Sequence, residues 1–181
     1  MRARHSLPLI VLAASLALAQ DFPAGSRVPT VTFFRPPLTD VYRGHAGALQ
    51  LQFRIPGGFH INSNQPHQDY LKKTELRLDA PTDIAIEKTS YPPGTDRSFP
   101  FDPSDKLNVY TGDFAIGVLV RPLKSVVPTK YAIHGVLKYQ ACDNAACYPP
   151  KQLPVTFEIK VLKSSSEHHV HIPAQSPGTH N

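Results

Sequence analysis

The two cysteines are the residues whose type and spacing could do chemistry. Cys142 and Cys147 lie five positions apart in YQACDNAACYPP (139–150), and no other cysteine occurs in the 181 residues. Thiols this close can form a disulfide, which serves either as a fixed cross-link or as a reversible dithiol/disulfide couple. The spacing alone leaves both uses open.

The surroundings of the pair argue against a purely structural role. In the chain-entropy description, a bridge over so short a loop is worth roughly 2 kcal/mol, against about 3 kcal/mol for fifteen residues. The intervening DNAA contains no Lys, Arg or His to lower a thiol pKa, and Asp143 is expected to raise it. We therefore expect a hairpin-like turn close to solvent, where short bridges tend to be labile, without a strongly activated thiolate.

The elements that must position this turn have the two-residue alternation of half-buried strands. The pattern is strong in four segments (48–56, 114–121, 130–140 and 152–162) and weaker in three (30–34, 74–79 and 82–88). After the first 20 residues, no segment has a helical period over ten residues or more. About seven short strands joined by Pro- and Gly-rich connections predict an all-β sandwich, with a small barrel as the alternative.

One connection stands out by its length. Residues 94–106, GTDRSFPFDPSDK, carry Phe99 and Phe101 and show no strand alternation, so they predict a long loop. Long loops inside compact domains are uncommon and often functional.

The termini predict export. Arg2 and Arg4, an apolar run and Ala17-Leu18-Ala19 form the pattern of a cleaved secretory signal over residues 1–19. The apolar run is too short to span a bilayer comfortably, so we expect a soluble exported protein. Residues 28–162 then form one domain, and residues 163–181, rich in Ser and His, are expected to be a disordered tail.

Charge and composition exclude several functions. Without the two signal arginines, 17 basic residues stand against 14 acidic ones, with no block of five or more like charges. Nucleic-acid binding would need a clustered basic face. The histidines of the tail lack ligands at metal-binding spacing, so we expect no metal and no cofactor.

Three stretches together resemble one family, the N-terminal periplasmic domain of DsbD, a transmembrane thiol:disulfide interchange reductase. The first is the cysteine segment YQACDNAACYPP, which is fairly specific. The second is IPGGFHINSNQP (55–66). The third runs from YPPG at 91 through an aromatic-bearing loop to VYTGDFAIGVLV, and the resemblance covers about residues 30 to 162.

The resemblance implies an immunoglobulin-like β-sandwich in which Cys142 and Cys147 are the redox pair. Cys147 would form the mixed disulfide with a partner, and Cys142 would resolve it. The family's cap loop would correspond to residues 94–106, so that Phe99 or Phe101 would shield the pair until a partner docks.

Partners also follow from the resemblance. The clients would be thioredoxin-fold proteins of disulfide correction or cytochrome c maturation, and a membrane electron-donor protein would act in trans, because we expect no membrane domain in this chain. The cysteines are one residue closer together than in the family's well-known spacing. The alternative is an immunoglobulin-like binding or assembly module whose disulfide is only structural.

Three residues near the pair have a plain structural interpretation. Tyr139 and Tyr148 flank the cysteines and are expected to pack, although either could border a docking surface. His60 could lie near the pair, but a hydrogen-bonded structural histidine is the simpler expectation.

Overall fold

The computed structural model describes residues 29–163, except for the side chain at position 102. The predicted signal (1–19) lies outside the described residues, as does the predicted tail beyond residue 163. Within the described residues every regular element is a strand, and no helix there is long and apolar enough to cross a membrane.

Twelve strands follow one another along the chain. They are β1 (Thr32–Phe34), β2 (Thr39–Tyr42), β3 (Gly47–Arg54), β4 (His60–Asn62), β5 (Glu75–Asp79), β6 (Ile84–Ser90), β7 (Thr95–Phe99), β8 (Asp102–Tyr110), β9 (Asp113–Pro122), β10 (Lys130–Tyr139), β11 (Ala141–Cys142) and β12 (Lys151–Leu162). The strands predicted from strong alternation correspond to β3, β9, β10 and β12.

The strands form three four-stranded sheets, ordered β1-β3-β9-β6, β2-β12-β10-β5 and β11-β4-β8-β7. All pairs are antiparallel except β2 with β12. Alternate residues of β3 and β9 in the first sheet, and of β10 and β12 in the second, enter one buried apolar cluster. Because each of these strands buries one face, its sequence alternates. The prediction of an all-β sandwich is confirmed.

The third sheet lies beside this core and has a small apolar cluster of its own, formed by Phe99, Leu107 and Val109 with Leu71 packed against it. The prediction of an irregular loop at 94–106 is wrong, because β7 and β8 form an antiparallel hairpin there. The first four residues of β7 are exposed, so no buried face imposes an alternating pattern. The predicted number of strands, about seven, is also too low, mainly because β4, β7, β8 and β11 of this sheet carry little alternation in sequence.

Candidate functional site

The two cysteines are joined in a disulfide with an S–S distance of 2.02 Å. They lie directly opposite each other in an isolated antiparallel bridge, with their Cα atoms 3.9 Å apart. Cys142 ends β11 and is completely buried, whereas Cys147 is exposed. The two sulfur-bearing residues therefore differ sharply in access, and a molecule from solvent meets Cys147 first.

The four residues between the cysteines form a turn organised by Asp143. Its Oδ1 accepts hydrogen bonds from the backbone N–H groups of Ala145 (2.7 Å) and Ala146 (2.8 Å). Its Oδ2 accepts one from the Tyr148 hydroxyl at 2.7 Å. These bonds, that from Tyr148 foremost, lower the pKa of Asp143. A fixed negative charge therefore stands next to the disulfide.

A second strand, β4, brings His60 to the pair. Cys142 is the register partner of His60, and Ala141 is that of Ile61. Directly opposite residues of an antiparallel pair project from the same face of the sheet. β4 begins directly after a tight turn in which Phe59 N–H donates to the Pro56 carbonyl at 3.2 Å. Gly58 in this turn has φ 81°, a conformation that favours glycine.

Aromatic rings cover His60. Phe99, at the end of β7, stacks on the imidazole with ring centroids 3.9 Å apart and is itself buried. Phe101, in the turn that follows, stacks on Phe99 at 5.5 Å and stays 40 % exposed. The structure thus places both predicted cap residues next to the strand that faces Cys142, with Phe99 as the inner ring and Phe101 as the outer one.

His60 is buried, and two charged residues of opposite sign act on its pKa. Only 2 % of the residue is exposed, and its Nε2 has no hydrogen-bond partner among the described residues. Burial first, and then the positive charge of Arg97, lower the pKa of His60 to about 4, against the opposing effect of Asp143. The imidazole is therefore neutral at pH 7. The expectation of a hydrogen-bonded structural histidine does not hold for Nε2.

A cleft of about 360 Å³ opens beside this histidine. Its walls come from the turn before β4, from Arg97 and Phe99 of β7, from the β8–β9 turn, and from Asn144 between the cysteines. The cleft thus connects His60 with the cysteine loop. A larger cleft of about 770 Å³ lies elsewhere, around residues 89–94 and His67, and includes no residue of the cysteine loop.

The two tyrosines beside the cysteines have different surroundings. Tyr139 is buried, and its hydroxyl accepts a hydrogen bond from Val31 N–H at 3.1 Å. Tyr148 is half-buried and packs its ring edge-on to Phe59 with centroids 6.0 Å apart. Tyr148 N–H also donates to the Ala141 carbonyl at 2.8 Å, which fixes the chain just after Cys147.

Sequence reasoning placed His60 near the pair only as a possibility and did not identify Arg97 at the site. His60 pairs with Cys142 across about eighty residues of sequence, and Arg97 reaches the site through the pairing of β7 with β8 and of β8 with β4, which no local pattern reports. The one available signal is HIN at 60–62, a short apolar-polar stretch after two glycines, where a glycine turn aims the next side chains. Among the described residues no group of three potential ligands could hold a metal ion; the histidines of the tail lie outside them.

An all-β domain that presents one exposed and one buried cysteine of a short-loop disulfide has the properties of a thiol–disulfide exchange domain. The family model described as "Thiol:disulfide interchange protein DsbD, N-terminal" matches residues 32–159. The chain belongs to this family, whose N-terminal domain is periplasmic. The predicted resemblance is confirmed, and an immunoglobulin-like module with a purely structural disulfide is not favoured.

Similar solved structures include two from Neisseria meningitidis. The reduced DsbD N-terminal domain is 23% identical, with 59% of this chain and 73% of that chain covered and a TM-score of 0.38. The DsbD N-terminal domain in complex with the PilB N-terminal domain is 18% identical, with coverages of 60% and 73% and a TM-score of 0.40. A type I cohesin from Pseudobacteroides cellulosolvens is 11% identical, with coverages of 74% and 94% and a TM-score of 0.43. No curated protein matches the chain in sequence.

Proposed function

We propose that the chain is a periplasmic thiol–disulfide exchange domain, exported by a cleaved signal at residues 1–19, whose working pair is Cys142 and Cys147. The observation that carries the proposal is the asymmetry of the disulfide, with Cys147 exposed and Cys142 buried. An incoming thiolate needs access to the sulfur it attacks, and the other sulfur leaves. Cys147 is therefore the cysteine that joins a partner, and Cys142 is the one that resolves the mixed disulfide.

The exchange balances in two steps. A donor thiolate attacks Cys147 Sγ, the Cys142–Cys147 bond breaks, and Cys142 leaves as a thiolate. The second donor thiol, once deprotonated, attacks the first donor sulfur in the mixed disulfide, and Cys147 leaves as a thiolate. The donor dithiol has become a disulfide, and the pair has gained two electrons and two protons. In the reverse direction, Cys147 attacks a client disulfide and Cys142 releases the reduced client.

Family membership supports thioredoxin-fold partners, and the particular clients and donor are part of the proposal. We assign the clients to thioredoxin-fold proteins of disulfide correction or cytochrome c maturation, and the electrons to a membrane electron-donor protein in trans. The Neisseria DsbD N-terminal domain forms a complex with the PilB N-terminal domain. That complex supports a protein partner for this kind of domain.

We assign the shield that such a pair requires to the stacked rings over His60, the strand partner of Cys142. Phe99 is the inner ring against His60, and we assign the capping role to it, with Phe101 as its outer support. An uncovered dithiol in an oxidising compartment would lose its electrons to unspecific acceptors. A cap that moves when a partner docks would restrict exchange to that partner.

The first test is the reduction potential of the pair. The mature protein is equilibrated in graded thiol buffers and alkylated, and free thiols are counted by mass. We expect a midpoint between about −180 and −270 mV, the range of exchange proteins, whereas a midpoint below about −300 mV would identify a structural bridge.

The roles of the two cysteines are tested by a matched pair of variants. After incubation with an oxidised thioredoxin-fold protein, Cys142→Ala should accumulate a mixed disulfide through Cys147, because no resolving thiol remains. Cys147→Ala should accumulate little, because Cys142 is buried. Equal trapping by both variants would contradict the assignment.

A further inference from the structure

One buried polar atom at the site has no partner in the disulfide form. Nε2 of His60 is shielded from solvent and makes no hydrogen bond to any described residue. Buried side-chain polar atoms in native proteins are nearly always paired, so an orphan beside a reactive group calls for a functional explanation. The cross-strand register places this ring opposite Cys142, on the same face of the β4–β11 ladder.

Opening the disulfide creates the partner that is missing. When a thiolate attacks Cys147, the negative charge moves to Cys142 Sγ, which lies in a fully buried position. A buried anion without a hydrogen-bond donor is strongly disfavoured. We propose that His60, through Nε2–H, donates a hydrogen bond to the Cys142 thiolate and so stabilises it as a leaving group and as the resolving nucleophile. This inference rests on the exchange function proposed above.

The other groups around the ring do not replace this donor. On the cysteine-loop side, the Asp143 carboxylate is an acceptor, already bound to two backbone N–H groups and to Tyr148. From β7 come the positive charge of Arg97 and the ring of Phe99. Arg97 adds favourable charge to a thiolate here, but His60 is the residue in register with Cys142.

A neutral imidazole suits this role. Because burial and Arg97 hold the pKa of His60 near 4, the ring carries no charge in the resting state at pH 7. A neutral ring has one N–H, and placing it on Nε2 makes the orphan atom the donor. The donor then acts on the thiolate without transfer of a proton, so the electron and proton balance of the exchange is unchanged. His60 thus differs from the histidine bases that activate catalytic thiols.

The test measures reduction of the disulfide by dithiothreitol in the full mature chain. His60→Phe keeps an aromatic ring for the stack with Phe99 and removes the donor, and His60→Gln keeps an N–H donor. A hydrogen bond to a charged group changes an equilibrium or rate constant by roughly tenfold or more. We therefore expect reduction of His60→Phe to be about tenfold slower at pH 7, with partial recovery in His60→Gln. Equal rates for wild type and His60→Phe would overturn the inference.

A second readout excludes a merely structural effect. In a Cys147→Ala background, the thiolate absorbance of Cys142 at 240 nm is followed against pH, after subtraction of a chain that lacks both cysteines. His60→Phe should raise the apparent pKa of Cys142 by about one unit, the equivalent of the tenfold rate effect. An unchanged pKa would refute the hydrogen bond.

The two proposals can fail separately. The dithiothreitol rate and the Cys142 titration use no protein partner. A midpoint below about −300 mV in the redox titration would end the exchange proposal, whatever the variants do. A normal midpoint with no effect of His60→Phe would leave exchange standing and remove only the role of His60.

Discussion

Lowering the pH should destabilise the folded domain through His60, and the size of the effect follows from its burial. The folded chain holds the pKa of His60 near 4, whereas the unfolded chain has the ordinary value near 6.5. Between these values the unfolded state binds a proton that the folded state rejects, so the free energy of unfolding falls as the pH falls. The contribution is fully present above pH 6.5 and is lost by about pH 4.

The magnitude is a shift of about two and a half pKa units at 1.36 kcal/mol per unit, or about 3 kcal/mol. His60→Phe removes the titrating ring and keeps an aromatic side chain. The stability of the variant relative to wild type should therefore rise by about 3 kcal/mol between pH 7 and pH 4. Other titrating groups are shared by the two proteins and largely cancel in this difference.

The assay is urea unfolding of the oxidised proteins, followed by far-UV circular dichroism because the chain has no tryptophan. Measurements at pH 7, 6, 5 and 4 define the difference between wild type and variant. His45→Phe, at an exposed position, is the control because it removes an imidazole without touching a buried site. A difference for His60→Phe that stays constant with pH would refute the burial argument.

Three further substitutions test the cap and the core. Phe99→Ala should expose the site and make reduction of the disulfide by glutathione several-fold faster. Phe101→Ala should have a smaller effect on this rate, because that ring lies outside Phe99. A larger effect of Phe101→Ala than of Phe99→Ala would assign the cap to Phe101 instead. Tyr139→Phe removes the acceptor of Val31 N–H, and the unpaired buried donor should lower the free energy of unfolding by about 1–3 kcal/mol in urea titration. Unchanged stability would mean that another group accepts from Val31.

The strands of the two main sheets could be predicted because each buries one face. In β3, for example, Leu49, Leu51 and Phe53 are buried while the residues between them are exposed. That periodicity can be read from the residues of each strand alone. The hairpin of β7 and β8 could not be predicted in this way, because Thr95 to Ser98 are all exposed and only Phe99 is buried.

The candidate site could be predicted in its chemistry but not in its surroundings. Two cysteines five positions apart indicate a disulfide on their own, and the structure has it. The difference in exposure between Cys142 and Cys147 depends on β4, which reaches β11 from about eighty residues earlier in the chain. The place of His60 depends on the same long-range pairing. Neither follows from the residues next to the cysteines.

The bracing of the cysteine turn has a consequence for how long a partner stays attached. The hydrogen bonds of Asp143 with Ala145, Ala146 and Tyr148 involve neither sulfur atom, so reduction of the disulfide does not break them directly. A turn that keeps its shape after reduction holds Cys142 beside Cys147 at a high effective concentration. In the exchange proposed above, the mixed disulfide would then be short-lived, because Cys142 would release the partner by attack from within the domain before the partner needs to dissociate.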